Sequence, residues 1–188
     1  MSLTLLDTST ALVVIDLQKG LAAYPTIHPF PSIVANAAAL AAEFRKHGLP
    51  VALVNASGSA PGRTEQARRI AGALGPDFIE LLPELDAQPD DIRVTKTSWG
   101  AFATTDLAAR LKAIGVTQIV LAGVATSAGV ESTAREAHGL GFNVTLALDA
   151  MTDMSAEMHD HSVARIFPRL GETGTTAEVV ALLVAPRG

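Results

Sequence analysis

Asp16 and Lys96 each close a segment that reads as a buried strand. Asp16 follows the continuous apolar run Ala11 to Ile15, and Lys96 follows Asp91 to Thr95. Runs such as ALVVI have the composition of parallel strands covered on both faces. In open α/β sheets ligands bind beyond the carboxyl ends of such strands. A lone aspartate at that place is commonly a turn or cap residue. Two opposite charges that can meet beyond one sheet edge say more, since each lowers the cost of desolvating the other. A third stretch, Ile119 to Glu136, begins with the apolar run Ile119-Val120-Leu121-Ala122 and breaks at Gly123. Ala125, Thr126, Ser127, Ala128 and Gly129 follow, and from Val130 the text turns helical, with Glu131, Arg135 and Glu136 on a polar face. A strand, a tight turn and a helix in that order present free backbone N–H groups and the positive end of a helix dipole. Such a turn suits an anionic ligand or a developing negative charge, and residues 125–129 are expected to face a substrate. Close packing in an ordinary strand-to-helix turn calls for the same small residues.

Further candidates surround these three. Arg63 lies in the long loop Asn55 to Arg63, where it could hold a substrate carboxylate or simply be solvated. Trp99 and Phe102 sit in the loop after Lys96, and aromatics at that edge often wall a pocket, the alternative being packing under a helix. His28 stands in a proline-rich loop, where histidines are more often surface residues than catalysts. The hydroxyls of Thr126 and Ser127 would need a base such as histidine to act as nucleophiles. The histidine nearest in sequence is His138, two to three helical turns on. No histidine cluster has metal-ligand spacing, and His159 and His161, two apart, would point to different faces of a helix. No metal and no cofactor are expected.

Composition bounds the rest. The 188 residues fit one domain, residues 1–188, and the 48% of hydrophobic residues suffices for a sizeable core. A formal net charge of -5 argues against a nucleic-acid binder working through a broad basic surface. The chain has no cysteine, which excludes disulfides, thiolate metal sites and a cysteine nucleophile. The first twenty residues lack the features of a signal peptide, and no apolar run reaches the length of a membrane span. A soluble cytoplasmic protein is expected, with a small-molecule partner and with neither nucleic acid nor membrane.

The elements that must position the candidates alternate along the chain. Strands are expected at Ala11–Ile15, Val51–Val54, Asp91–Thr95, Ile119–Ala122 and Asn143–Ala147, with a short edge strand at Glu172-Thr173. A helix capped by Ser32 should run from Ile33 to Lys46, after prolines that forbid regular helix before it. Arg68 to Leu74 reads as a short helical turn, and Ile79–Leu81 as a short helix or loop. Further helices should start at Thr105 or Asp106, at Val130, at Ser155 and at Thr175, the last with a capping box from Thr175 to Glu178. This order predicts a three-layer α/β/α sandwich on a mainly parallel sheet of about six strands.

Three motifs now stand in order: VVIDLQ at 13–18, TKTSWGAF at 95–102 and AGVATSAGVESTAREA at 122–137. Together they resemble the isochorismatase-like hydrolases, the superfamily that also holds nicotinamidase and related cysteine amidohydrolases. The resemblance covers nearly the whole chain. It implies that Asp16 and Lys96 match two members of the catalytic set, and that the nucleophile position falls on Gly129. It also implies a non-proline cis peptide at Val124–Ala125 and a homodimer or tetramer. Isochorismatases too lack the cysteine; they keep the aspartate as a general acid and cleave a vinyl ether to a dihydroxy acid and pyruvate. Their turn carries an aromatic residue and a histidine where this chain has Ala125, Thr126 and Ser127. The resemblance therefore implies a hydrolase with Asp16 as acid, Lys96 orienting it or a substrate carboxylate, and N–H groups near Ala128 and Gly129 binding an oxygen. The alternative is a non-catalytic small-molecule binder descended from an amidohydrolase.

Overall fold

The computed structural model describes residues 3–60, 62–65 and 74–184. Six strands form one sheet: β1 (Thr10–Ile15), β2 (Val51–Ala56), β3 (Ile92–Lys96), β4 (Gln118–Val124), β5 (Asn143–Thr152) and β6 (Glu172–Gly174). Their order is β3-β2-β1-β4-β5-β6, and every neighbouring pair is parallel. The helices are α1 (Phe30–Lys46), the single turn α2 (Pro76–Ile79), α3 (Leu107–Ala113), α4 (Glu131–Gly139), α5 (Ala156–His161) and α6 (Thr176–Val184).

Alternation along the strands sorts their side chains between two cores. Leu12, Val14, Leu53, Val120 and Ala122 pack with Leu40 and Phe44 of α1 and with Val179 and Leu183 of α6. Val13, Ile15, Val54, Ile119 and Leu121 point the other way, into Leu107 and Leu111 of α3, Ala134 and Ala137 of α4, and Phe167. Two apolar faces, each under its own helices, make the expected three-layer sandwich. Among the described residues no helix is long and apolar enough to cross a membrane.

Strand order places the candidate site. The chain leaves β1 toward β2 and β3 on one side, then returns to lay β4 on the other. The carboxyl ends of β1 and β4 thus flank the point where the winding reverses, the usual ligand crevice of such sheets. Ile15 pairs with Gly123 there, and Gly123 has φ +121. A side chain at Gly123 would collide with the Ile15 carbonyl, so close approach and backbone both demand glycine.

Several boundaries differ from the sequence expectations. Helix α1 begins at Phe30, before Ser32, and the Pro29 carbonyl accepts from the Ser32 N–H at 2.9 Å. Pro31 falls in the first turn, where its missing N–H has no helical partner to lose. The single turn α2 covers Pro76–Ile79, ahead of the expected position. Strand β5 runs on past Ala147 to Thr152 through a register shift against β4. Asp149 therefore lies inside that strand, and its carboxylate accepts from the N–H and hydroxyl of Thr176 at the start of α6. The capping box forms, with Thr175 N–H to Glu178 Oε2 at 2.7 Å and Glu178 N–H to Thr175 Oγ1 at 3.2 Å. The turn expected over Arg68 to Leu74 lies, apart from Leu74, outside the described residues.

Candidate active site

Asp16 leaves β1 in the left-handed region at φ 56, a conformation that aspartate tolerates better than most side chains. Its N–H still donates to the Val54 carbonyl at 2.8 Å, so the kink comes one residue after the ladder ends. Lys96, the last residue of β3, reaches across the end of β2 to it. The Lys96 Nζ donates to Asp16 Oδ2 at 2.8 Å and to the Ser98 carbonyl at 3.0 Å. Both residues are buried, at 2% and 6% exposure. Asp16 Oδ1 is buried as well and has no hydrogen-bond partner among the described residues. Burial raises the Asp16 pKa from 3.8 to about 6, against the opposing pull of the Lys96 charge and hydrogen bond. Desolvation thus outweighs the attraction of its partner. When the carboxyl is protonated, Oδ2 still faces the Lys96 donor, so the proton belongs on Oδ1, the free oxygen.

Gly129, in the turn after β4, lies against this carboxyl. A Cβ there would lie 3.3 Å from Asp16 Oδ2, and 3.0 Å from both Ile15 Cγ2 and the Val124 carbonyl. Glycine lets the turn pack this close to Oδ2, and β1, β3 and the turn after β4 converge on Asp16, Lys96 and Gly129. The Gly129 carbonyl accepts from Thr133 Oγ1 at 2.7 Å, and that hydroxyl accepts from the Ala101 N–H at 3.1 Å. Glu136, one turn further along α4, accepts from the Phe102 N–H at 2.8 Å. These two side chains tie the loop that holds Lys96 to the turn that carries Gly129. Gln18 does the same for β1 and β2, exchanging hydrogen bonds with Ala56 N–H at 2.7 Å and Ala56 carbonyl at 3.0 Å.

The peptide bond Val124–Ala125 is cis. Beside it opens a small apolar cleft of about 80 Å³, lined by Leu21, Tyr24, Thr26, Phe30, Val124, Ala125 and Met154. Of the expected substrate contacts only Ala125 lines it. Ser127 turns to Asp153, whose Oδ2 accepts from its N–H and its hydroxyl, each at 2.7 Å. The Ala128 N–H is already engaged by the Ala125 carbonyl at 3.1 Å, so the free donor expected there is absent. Thr126 is fully buried and shares a hydrogen bond of 2.9 Å with His159 Nδ1. The histidine near this hydroxyl is therefore His159 of α5 and not His138, and zero exposure removes Thr126 as a nucleophile.

The remaining candidates stand apart from the pair. Phe102 is 7% exposed, its ring stacked on Phe142 at 5.9 Å in the core, so it builds no pocket wall. Trp99 is 63% exposed on the loop after β3 and packs under no helix. Arg63 is exposed on the loop after β2. His28 is exposed too, with its ring against that of His159. Leu21, Tyr24 and Phe30 were missed as cleft residues, although their place in the loop after Asp16 was a usable signal. No group of three or more His, Asp or Glu among the described residues could hold a metal ion.

Comparison with known proteins gives a consistent set of similarities. The family model of the isochorismatase domain matches residues 10–178. An uncharacterized isochorismatase family protein of Bacillus subtilis is 43% identical over 90% of this chain and 91% of its own length. A protein of Arabidopsis thaliana named a probable inactive nicotinamidase is 30% identical over 82% of this chain and 86% of its own. Among solved structures, an isochorismatase family protein from Burkholderia thailandensis superposes with a TM-score of 0.92. It is 39% identical and covers 97% of this chain and 99% of that one.

Proposed function

This chain belongs to the isochorismatase family, and from that premise we propose that it is a cysteine-independent hydrolase cleaving a small carboxylated vinyl ether with Asp16 as general acid. The observation that carries the reading is the state of Asp16: buried, its pKa raised to about 6, and holding one oxygen with no partner among the described residues. A carboxyl in that condition keeps a proton into the neutral range and has it free to give.

Asp16 Oδ1 donates its proton to the terminal CH₂ of the enol ether, leaving an oxocarbenium ion at the ether-bearing carbon. Water adds to that carbon and loses a proton to the Asp16 carboxylate. The hemiketal then collapses: the C–O bond to the alcohol breaks, the alcohol leaves with the proton that Asp16 returns, and pyruvate remains. The hemiketal hydroxyl gives up its proton to the Asp16 carboxylate as it becomes the ketone of pyruvate, and that transfer restores the starting acid. Lys96, fixed to Oδ2, holds the carboxyl in orientation throughout and keeps its conjugate base paired. Gly129 lets the turn close against the acid without a side chain displacing it. The apolar cleft along Val124 and Ala125 suits the hydrocarbon part of the substrate. An anionic substrate carboxylate near Asp16 would raise its pKa further, since a like charge disfavours ionisation.

The test is pyruvate release from isochorismate, followed with purified protein. Turnover is expected; a silent wild type removes isochorismate, and the screen passes to other carboxylated enol ethers. A second reading, a non-catalytic binder, is favoured by Gly129 at the place the family's cysteine enzymes use. Asp16→Ala separates the two: it abolishes turnover under the first reading and leaves affinity measurable by calorimetry under the second.

A further inference from the structure

We propose that His159 is a positioning residue, which as a neutral imidazole accepts the Thr126 hydroxyl and so locks the turn 125–130 against α5 and the loop before α1. The proposal concerns the same site as the catalytic reading and rests on it for its purpose, though not for its test.

The hydroxyl of Thr126 is fully buried and meets one partner among the described residues, His159 Nδ1 at 2.9 Å. A buried hydroxyl hydrogen needs an acceptor. Its donation to Nδ1 fixes the ring as the Nε2–H tautomer. The ring of His28 stands edge-on to that of His159, with centroids 5.0 Å apart. His28 is itself anchored: its N–H donates to Thr152 Oγ1 at 3.2 Å, and its Nδ1 lies 3.2 Å from the same oxygen. The neighbouring Ile27 N–H donates to the Asp153 carbonyl at 2.9 Å, while Asp153 Oδ2 holds Ser127. Three segments thus meet on one polar knot: residues 26–28, which lead from the cleft wall into α1, the turn that carries Gly129, and the end of β5 with α5.

Protonating His159 would break the knot from within. Nδ1 would then carry a hydrogen pointing at a hydroxyl that has no second acceptor among the described residues. The groups acting on the ring from the surrounding elements are His28 of the loop, Asp153 after β5 and Asp160 of α5. Burial and His28 lower its pKa against the opposing pull of the two aspartates. The neutral state is the one the packing holds.

The experiment uses the intact chain with ¹⁵N-labelled histidine and backbone amides, titrated downward from pH 8 without substrate. His159 is expected as the Nε2–H tautomer, and the amide signals of residues 125–130 are expected to shift with the same midpoint as its ring. In His159→Asn, whose side-chain oxygen can take the place of Nδ1 but cannot titrate, the amides should keep near-native positions at pH 7 and lose that transition. In Thr126→Val the His159 midpoint should rise. An Nδ1–H tautomer, or amides of 125–130 that ignore the ring titration, would overturn the proposal. A failed isochorismate assay leaves all of these readouts in place, so the two readings fail separately.

Discussion

Asp16→Asn is expected to lower vinyl-ether turnover by about 10²–10⁴-fold, the range for loss of a positioned proton donor. The amide oxygen still accepts from Lys96, but the NH2 group that replaces Oδ1 carries no acidic proton. Steady-state kinetics should show the loss mainly in kcat, since the substitution nearly preserves shape. The same variant has a signature in stability. Folding raises the Asp16 pKa from 3.8 to about 6, so between those values the native state binds more protons than the unfolded chain. The group's favourable contribution is fully present below pH 3.8 and is lost as pH rises through about 6. At 1.36 kcal/mol per unit, wild type should lose about 2 kcal/mol relative to Asp16→Asn between pH 4 and pH 7. Urea denaturation of both proteins at the two pH values measures it. A constant difference between them would mean that the carboxyl is not perturbed by folding.

Lys96→Met is the second large effect. It removes the one influence that holds the Asp16 pKa down and leaves burial, which raises it. The aspartic acid should then remain neutral through pH 7, so the variant avoids an unpaired buried charge and is expected to fold. Its turnover should fall by about 10–100-fold, the equivalent of one lost hydrogen bond to a charged group. Its activity should also extend to higher pH than the wild type's. Steady-state rates between pH 5 and pH 9 test both statements. Loss of activity with an unchanged pH limb would place Lys96 on the substrate and not on Asp16.

The sheet was legible because each strand carries its own local signal. ALVVI and IVLA are continuous apolar runs, DIRVT alternates, and Asp16 and Lys96 each directly follow a strand, so they could be read as neighbours although 80 residues separate them. What the sequence hid depends on packing between distant elements. Thr126 finds His159 because α5 folds back under the turn, a contact that no spacing within 122–137 announces. The Ala128 N–H is consumed by the Ala125 carbonyl because the turn is tight enough to close on itself. Phe102 reads like Trp99 in sequence, yet one ring is drawn into the core by Phe142 and the other is left in solvent. Pro29 and Pro31 read as helix breakers, and they sit instead where a helix has no N–H bonds to lose.

The central claim is that Asp16 acts as an acid and not as a base, and the pH dependence of kcat on isochorismate between pH 4.5 and 8.5 tests it most directly. An acid gives a plateau at low pH and a tenfold fall per unit above an apparent pKa of about 6 or higher, a limb that Asp16→Asn removes along with the activity. A rate that instead rises with pH through that region, or one that persists in Asp16→Asn, would contradict the account.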